Sequence, residues 1–482
     1  MAVVPEKVQT KKKEKEKEKD KTAAGADEFG GPLGAACITL FLPLLSLLLS
    51  EACSEPALGE VPRRADRHVT ALIASAGSCS INALPRRLAF RFSSLVANGV
   101  SVDSIMTAIG VVLGYLGFTL ALHCLLPGER ALGAALPTGA RLSYKLNAMA
   151  VLAMSLLSFF TMCYMGIIDP VYVYDHTVLL MVVAIVFCYA MSAWLYASAR
   201  RRRRASGGEK EEVLLAHGGD TGIAVYDFFI GHELNPRLHL ASIFGHDVDL
   251  KEFFELTPGL IAWLLLDVCC AFKQHALHGH VSNAMLLVCG FHALYVLDAL
   301  YLEKAILTTM DITTDGLGFM LVFGDLVWVP FTYSLQARFL ALHGAADLPT
   351  WAALAILALN IVGYYIFRGS NNQKNMFRTL GHDHPSNAHV RYIDTERGTR
   401  LMVSGWWGIA RHINYTGDWI MGLAWSLPCG LSHALPYFYP AYFACLLLHR
   451  EGRDEHLCRG KYGRDWDKYK RIVPYRLVPG VY

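Results

Sequence analysis

The stretch VLLMVVAIVFCYAMSAWLYA, residues 178–197, decides the fold. It carries no charge, and apolar side chains occupy every face that a helix of 3.6 residues per turn would present. A helix on the surface of a soluble protein keeps a polar stripe, so this one is read as crossing a bilayer. Composition agrees: 54% of the 482 residues are hydrophobic and 18% charged, too apolar for an ordinary soluble enzyme of this length.

Working outward, the span 176–198 is joined by apolar runs near 33–50, 102–126, 146–168, 259–277, 282–302, 317–341, 350–368, 401–431 and 436–449. The expectation is an all-α, polytopic membrane protein with about ten transmembrane helices. Basic residues set its orientation. RRRRR at 200–204 follows the fourth span, Arg368, Lys374, Arg378, Arg391, Arg397 and Arg400 follow the eighth, and the tail after the tenth is rich in Arg and Lys. The loops after the third and ninth spans have none, so even-numbered loops and both termini are expected in the cytosol. Residues 51–101 run against this rule with six arginines, although long loops obey it weakly.

Residues 1–32 read as a disordered charged lead, carrying EKVQTKKKEKEKEKDK at 6–21. Residues 33–449 read as the transmembrane domain, with 51–101 as a loop insert of unassigned role, and 450–482 as a cytosolic tail. No cleavable signal peptide precedes the first span, which is expected to direct insertion itself. RRRRRASGGEKEE at 200–212 reads as a cytosolic linker. The twelve cysteines lie mostly inside spans and read as buried small hydrophobes rather than disulfides or a zinc site.

Soluble-enzyme motifs fail. GLGFML at 316–321 lacks the third glycine and the preceding strand of a dinucleotide fingerprint, and NYT at 414–416 lies at membrane depth, where it reads as a chance glycosylation match. HDHP at 382–385 and HALHGH at 275–280 read as loop histidines without a third ligand, so no metal is expected.

What remains is a polar constellation in the last third. A charge at the centre of a membrane helix costs about 3 kcal/mol, so intramembrane Arg, Asp and His are functional candidates by default. They cluster in DALYLEKAILTTMDITTDG around 298–316, FGDLVWVPFTYSLQAR at 323–338, NNQKNMFR at 371–378, WWGIARHINYTGDW at 406–419 and LLLHREGRDEHLCRGKYGRDWDKYKRIVPYR at 446–476. Asp325 and Gln336 also fit as ties between helices.

These segments, in order and spacing, resemble the sterol reductase family, which includes delta-14 sterol reductase, 7-dehydrocholesterol reductase and the membrane half of the lamin B receptor. The likeness runs roughly from Pro127 to Tyr482 and is dense after Asp311; within the family, GLGFMLVFGDLVWVPFTYSLQARFL looks most like the delta-14 members. Leu317 stands where Phe is usual, and His292 where Gln is common. The resemblance implies an NADPH pocket in the C-terminal half. Its positions match Lys374, Arg378, Met402, Trp407, Asn414, Tyr415, Arg450, Asp454, the run Cys458, Arg459, Gly460, Lys461 and Tyr462, and Tyr469. The chemistry is apt without a Rossmann fold, because cations can hold phosphates, an aromatic ledge the nicotinamide, and amides the riboses. Arg411 and His412 fit equally as pocket residues and as helix ties.

The reaction implied is reduction of the sterol delta-14 double bond, a proton going to carbon 15 and a hydride to carbon 14. An isolated double bond is not polarised, so an acid must first make a carbocation. Tyr295 is favoured as donor or immediate relay, with an acid among Asp298, Glu303 and Asp311 behind it, because a lone phenol is a weak acid. Sterol is expected from the bilayer and the protein in the endoplasmic reticulum membrane; membrane lipids are the other partner, and no nucleic acid is expected. A delta-7 reductase and a non-catalytic scaffold like the lamin B receptor are the alternatives. The tail also resembles isoprenylcysteine methyltransferases, but DITTDG and GDLVWVP have no place there, and no inverted repeat supports a transporter.

Overall fold

The computed structural model describes residues 28–53, 101–135, 141–205, 214–344 and 346–482, so most of the charged lead, the 51–101 insert and the 206–213 linker lie outside the described residues. Among the described residues, seven helices are long and apolar enough to cross a bilayer: Glu28–Ala52, Val102–Leu125, Thr177–Arg202, Leu250–His278, Asn283–Tyr301, Phe319–His343 and Thr350–Leu380. The chain is a multi-pass membrane protein.

Five expectations need correction. The span placed at 401–431 is not one helix: strand Arg400–Met402 leads to a single turn at Trp406–Ile409, an extended Ala410, and a helix only over Ile413–Ser426. Polar residues at 411–415 and glycines at 405 and 408 break the apolar run there. The span at 146–168 is a shorter helix, Ala148–Tyr164. The fold is mostly rather than wholly α, because the polar connections pair into three two-stranded antiparallel sheets. Finally, the tail beginning at residue 450 is not separate from the preceding span; helix Phe438–Tyr462 runs through that boundary unbroken. His275 and His278 also sit on the last turn of helix Pro258–His278 rather than in a loop.

We label the helices α1 (Gly31–Ala52), α2 (Val102–Leu125), α3 (Ala148–Tyr164), α4 (Thr177–Ala205), α5 (Ala224–Ile230), α6 (Leu250–Leu256), α7 (Pro258–His278), α8 (Asn283–Tyr301), α9 (Phe319–Phe323), α10 (Leu335–His343), α11 (Thr350–Leu380), α12 (Ile413–Ser426), α13 (Phe438–Tyr462) and α14 (Arg464–Ile472). They fall into two compact units: Met1–Lys273 with Leu294–Ser334, and Gln274–Ala293 with Leu335–Tyr482.

In the first unit, Tyr115 of α2 donates its hydroxyl to the Pro258 carbonyl at 2.6 Å, and Tyr189 of α4 to the Thr39 carbonyl of α1 at 2.5 Å. Between α9 and α10 the helix widens into a π-helical segment, Gly324–Thr332, with Pro330 inside it. Proline removes one ladder hydrogen bond, and a π segment absorbs such a break without ending the helix. Three connections pack together: Ala131, Tyr144 and Leu146 share a core with Leu307 and Ile312, the Asn147 amide donates to Glu303, and Arg237 donates to the Ser143 carbonyl at 3.0 Å. Elsewhere in the unit, Lys273 of α7 pairs with Asp175 at 2.7 Å.

In the second unit, α11 and α12 cross at backbone contact. A Cβ on Gly363 would come within 2.9 Å of the Gly417 carbonyl oxygen, and one on Gly417 within 2.7 Å of the Gly363 carbonyl oxygen. Helix pairs in membranes gain most from such close approach of small residues, because hydrophobic burial drives little there. The stack of Trp425 on Tyr439, 5.2 Å between centroids, joins α12 to α13.

Gly417→Ala should therefore force α11 from α12 at a cost of about 1–3 kcal/mol, typical of overpacking. Gly452→Ala on α13, where a Cβ meets nothing within 4 Å, is the control. Thermal unfolding of the two variants in detergent should separate them clearly; equal melting temperatures would show that the crossing tolerates a methyl group.

Candidate active site

Lys374 and Arg378 owe their position to helix length. At 1.5 Å per residue, the 31 residues of α11 extend about 46 Å, against a hydrocarbon core of about 30 Å. The apolar part ends near residue 368, so the turns carrying SNNQKNMFR stand clear of it. They are zipped to the WW turn. The Trp407 indole N–H donates to the Ser370 carbonyl at 2.8 Å, the Trp406 amide to Gln373 Oε1 at 2.9 Å, and Asn414 Nδ2 to Asn371 Oδ1 at 3.4 Å. Gly405 precedes this turn at φ 64°, where a side chain would also collide with Gln373.

This zipper places the Lys374 ammonium 4.2 Å from the centroid of the Trp407 ring, a cation–π contact. Arg378, one turn on, is exposed and acts on Lys374 electrostatically, as do Asp454 and Cys458. Met402 is buried in one cluster with Phe377, Val390 and Trp407.

α13 and α14 close the cluster. Glu455 accepts from the Trp466 indole and from Lys470, both at 2.8 Å, and the Tyr469 hydroxyl reaches the Trp407 carbonyl at 3.5 Å. Cys458 and Tyr462 pack on the Trp466, Tyr469 and Val473 core. Burial and then the Asp454 carboxylate push the Cys458 thiol up to about 12, so it remains a neutral thiol. Burial likewise raises the Tyr469 phenol, leaving it a hydrogen-bond donor. Arg450 is half-buried on α13, whereas Arg459, Gly460 and Lys461 are exposed on its last turns.

The two ambiguous residues separate. Arg411 is a tie: its guanidinium donates to the Val473 and Pro474 carbonyls, both at 2.9 Å, and its amide to Tyr475. His412 faces the cluster, with Nε2 3.6 Å from Asp454 and its ring stacked on Tyr415 at 5.0 Å. Among the described residues, neither His412 Nε2 nor Asn414 Oδ1 has a hydrogen-bond partner, although both atoms are buried. Two cations, an aromatic face, and an unsatisfied imidazole and amide are groups that fit a nicotinamide dinucleotide.

The four acid candidates belong to the other unit. Tyr295, half-buried on α8, lies 6.1 Å from the Trp263 ring. Asp298 is one turn further on, and Asp311 is half-buried in the turn Met310–Thr313. Glu303 has structural work: it accepts from the Asn147 amide at 3.1 Å and the Ala148 amide at 3.1 and 3.2 Å, capping α3. Burial raises its carboxyl to about 7 against the pull of those amides. Sequence reasoning missed its neighbours. Lys251 is fully buried and donates to the Ile312 and Asp315 carbonyls at 2.9 and 2.6 Å, holding the DITTDG segment. Beside it, Asp249 caps α6 and Glu252 is 1% exposed. The signal was DLKEFFEL at 249–256, four charges just before an apolar helix.

A membrane-embedded protein with a cationic, aromatic cofactor-type site outside any Rossmann fold is the class this geometry defines. The profile of the Ergosterol biosynthesis ERG4/ERG24 family matches residues 24–482, and the chain belongs to that family. It is similar to a Delta(14)-sterol reductase of Neurospora crassa, 40% identical over 94% of this chain and 96% of the relative. Similar too are the Delta(14)-sterol reductase erg24 of Schizosaccharomyces pombe, 49% identical over 71% of this chain and 77% of its own, and the Delta(14)-sterol reductase TM7SF2 of Mus musculus, 43% identical over 94% and 97%.

Proposed function

We propose that this protein is an NADPH-dependent delta-14 sterol reductase of the endoplasmic reticulum membrane, with both termini in the cytosol. The observation that carries the reading is the Lys374 ammonium on the Trp407 face, with Arg378 one turn away, in a chain 40% identical to a reductase of that name over nearly its whole length. Lys374 and Arg378 hold the phosphates, Trp407 and Met402 form the nicotinamide ledge, and Asn414, Tyr415 and His412 serve the riboses. The segment 450–482 completes the pocket through Arg450, Asp454, Cys458 and Tyr469, with Arg459, Gly460, Lys461 and Tyr462 at its rim. Bound NADPH supplies a hydride.

The chain's own work is protonation. Tyr295 delivers a proton to carbon 15 of a sterol that arrives from the bilayer, and an acid behind it restores that proton. One proton from water and one hydride are consumed for each double bond reduced.

Three measurements test this. Purified protein with NADPH should reduce a delta-8,14 sterol and act poorly on 7-dehydrocholesterol; the reverse preference would place the chain in the delta-7 branch. Neutralising Lys374 or Arg378 should raise the Michaelis constant for NADPH far more than that for sterol. Equal affinity of the wild type for NADH and NADPH would remove the phosphate role. Tyr295→Phe keeps the ring and removes the hydroxyl, so cofactor binding should survive while turnover drops about 100-fold or more. Normal turnover would make Tyr295 a packing residue.

A further inference from the structure

A buried polar chain in the first unit has no place in the fold's hydrophobic bookkeeping. It runs through His246, His123, Asn147, Glu303, Glu252 and Asp249, all between 1% and 8% exposed. The links are physical. His123 and His246 act on one another electrostatically, and Asn147 Nδ2 donates to the His123 backbone carbonyl at 3.0 Å, which leaves the His123 ring nitrogen Nδ1 and Asn147 Oδ1 open to water. The Asn147 amide donates to Glu303, and the Glu303 and Glu252 side chains hydrogen-bond each other. Asp249 Oδ2 lies 3.5 Å from Arg237 Nε, while Asn235 Nδ2 donates to the Tyr144 hydroxyl at 3.2 Å.

Two features decide what this chain can do. Carboxyl groups hydrogen-bond one another only if a proton lies between them, so the Glu252–Glu303 pair holds one. Glu303 already accepts from two backbone amides at the N-terminus of α3, where negative charge is favoured. The proton therefore belongs to Glu252. The groups facing Glu252 are Glu303, Asp249, Arg237 and Tyr144. Its neighbour Lys251 turns away to the Ile312 and Asp315 carbonyls.

Second, His123 Nδ1, Asn147 Oδ1, His246 Nε2 and Glu252 Oε1 are all buried with no hydrogen-bond partner among the described residues. Buried polar atoms are nearly always satisfied, and so many in one neighbourhood make a site that retains water.

We propose that this chain is a hydrated proton relay, in which Glu252 carries the proton that the proposed reduction consumes and regains it from water along His246, His123 and Asn147. Glu303 opens the turn directly after α8, whose last two turns carry Asp298 and Tyr295, so the relay ends next to the donor in the chain. In each cycle the Glu252 O–H bond breaks, a C–H bond forms at carbon 15 by way of the donor, and water returns one proton to the carboxylate. Glu252 is thus a positioning and relay residue rather than one that touches sterol. The inference rests on the reductase reading for its function, but not for the shared proton.

The test has two arms on the full-length protein in detergent. In infrared spectra at pH 7, the wild type minus Glu252→Gln difference should contain the carbonyl stretch of a protonated carboxylic acid, moving in heavy water. In steady-state assays with a delta-8,14 sterol, Glu252→Gln should lose about 100-fold in turnover with an unchanged Michaelis constant for NADPH. Glu252→Asp, which keeps the acid, should recover part of the rate with a shifted pH profile, a change that mere packing would not produce. Should Glu252→Gln not fold, Glu252→Asp against wild type still reports whether a carboxylic carbonyl band changes position. No such band, or a Glu252→Gln enzyme with wild-type rate and pH profile, overturns the proposal. A wild type that reduces no sterol but shows the band defeats the reductase reading alone.

Discussion

The backbones of α11 and α12 touch at Gly363 and Gly417, and the cofactor-type site depends on that contact. A helix presents side chains to its neighbour at a distance set by the smallest residues in the crossing. With glycine on both sides, the polar turns of α11 come near enough for Ser370, Asn371 and Gln373 to bond the Trp406–Asn414 stretch directly. Those bonds orient the Trp407 ring, and the ring receives Lys374. Moving the crossing by one methyl group would lengthen all of them together.

The C-terminal segment is a second clamp on the same stretch. Arg411 is spent on the Val473 and Pro474 carbonyls, and Thr416 donates to the Leu477 carbonyl at 2.7 Å. Arg476 in turn reaches Glu451 of α13 at 3.1 Å. A guanidinium with two backbone acceptors is a rigid tie, because its planar fork loses little further freedom. This leaves His412 as the residue of the pair that faces the cluster. The first unit handles charge differently. Asp249 pairs with Arg237, Glu303 caps α3, and Lys251 donates to the Ile312 and Asp315 carbonyls.

Much was legible in the residues. Apolar runs such as 178–197 fixed the membrane class, because no soluble packing hides a helix that is greasy on every face. The connections 127–147 and 303–316 pack together in the first unit, through Tyr144, Leu146, Leu307 and Ile312. Lys374, Met402, Trp407 and Tyr469 were picked out by type and motif, and the structure gathers them in one cluster. Local pattern was less dependable where polar and apolar residues alternate. The 401–431 run was read as a single span, yet Gly405 and the hydrogen bonds of Trp406 and Arg411 break it into a strand, a turn and a short helix.

The sequence alone therefore determined the membrane class, the approximate spans and the residue types of the site, since each depends on side-chain chemistry read over a few neighbouring turns. Only the tertiary structure decided that Arg411 ties while His412 faces inward, that Glu303 caps α3, and that Glu252 is buried beside it. Those outcomes depend on partners 62 residues away for Arg411 and 156 for Glu303, and no local period in the chain encodes which distant carbonyl or amide will arrive.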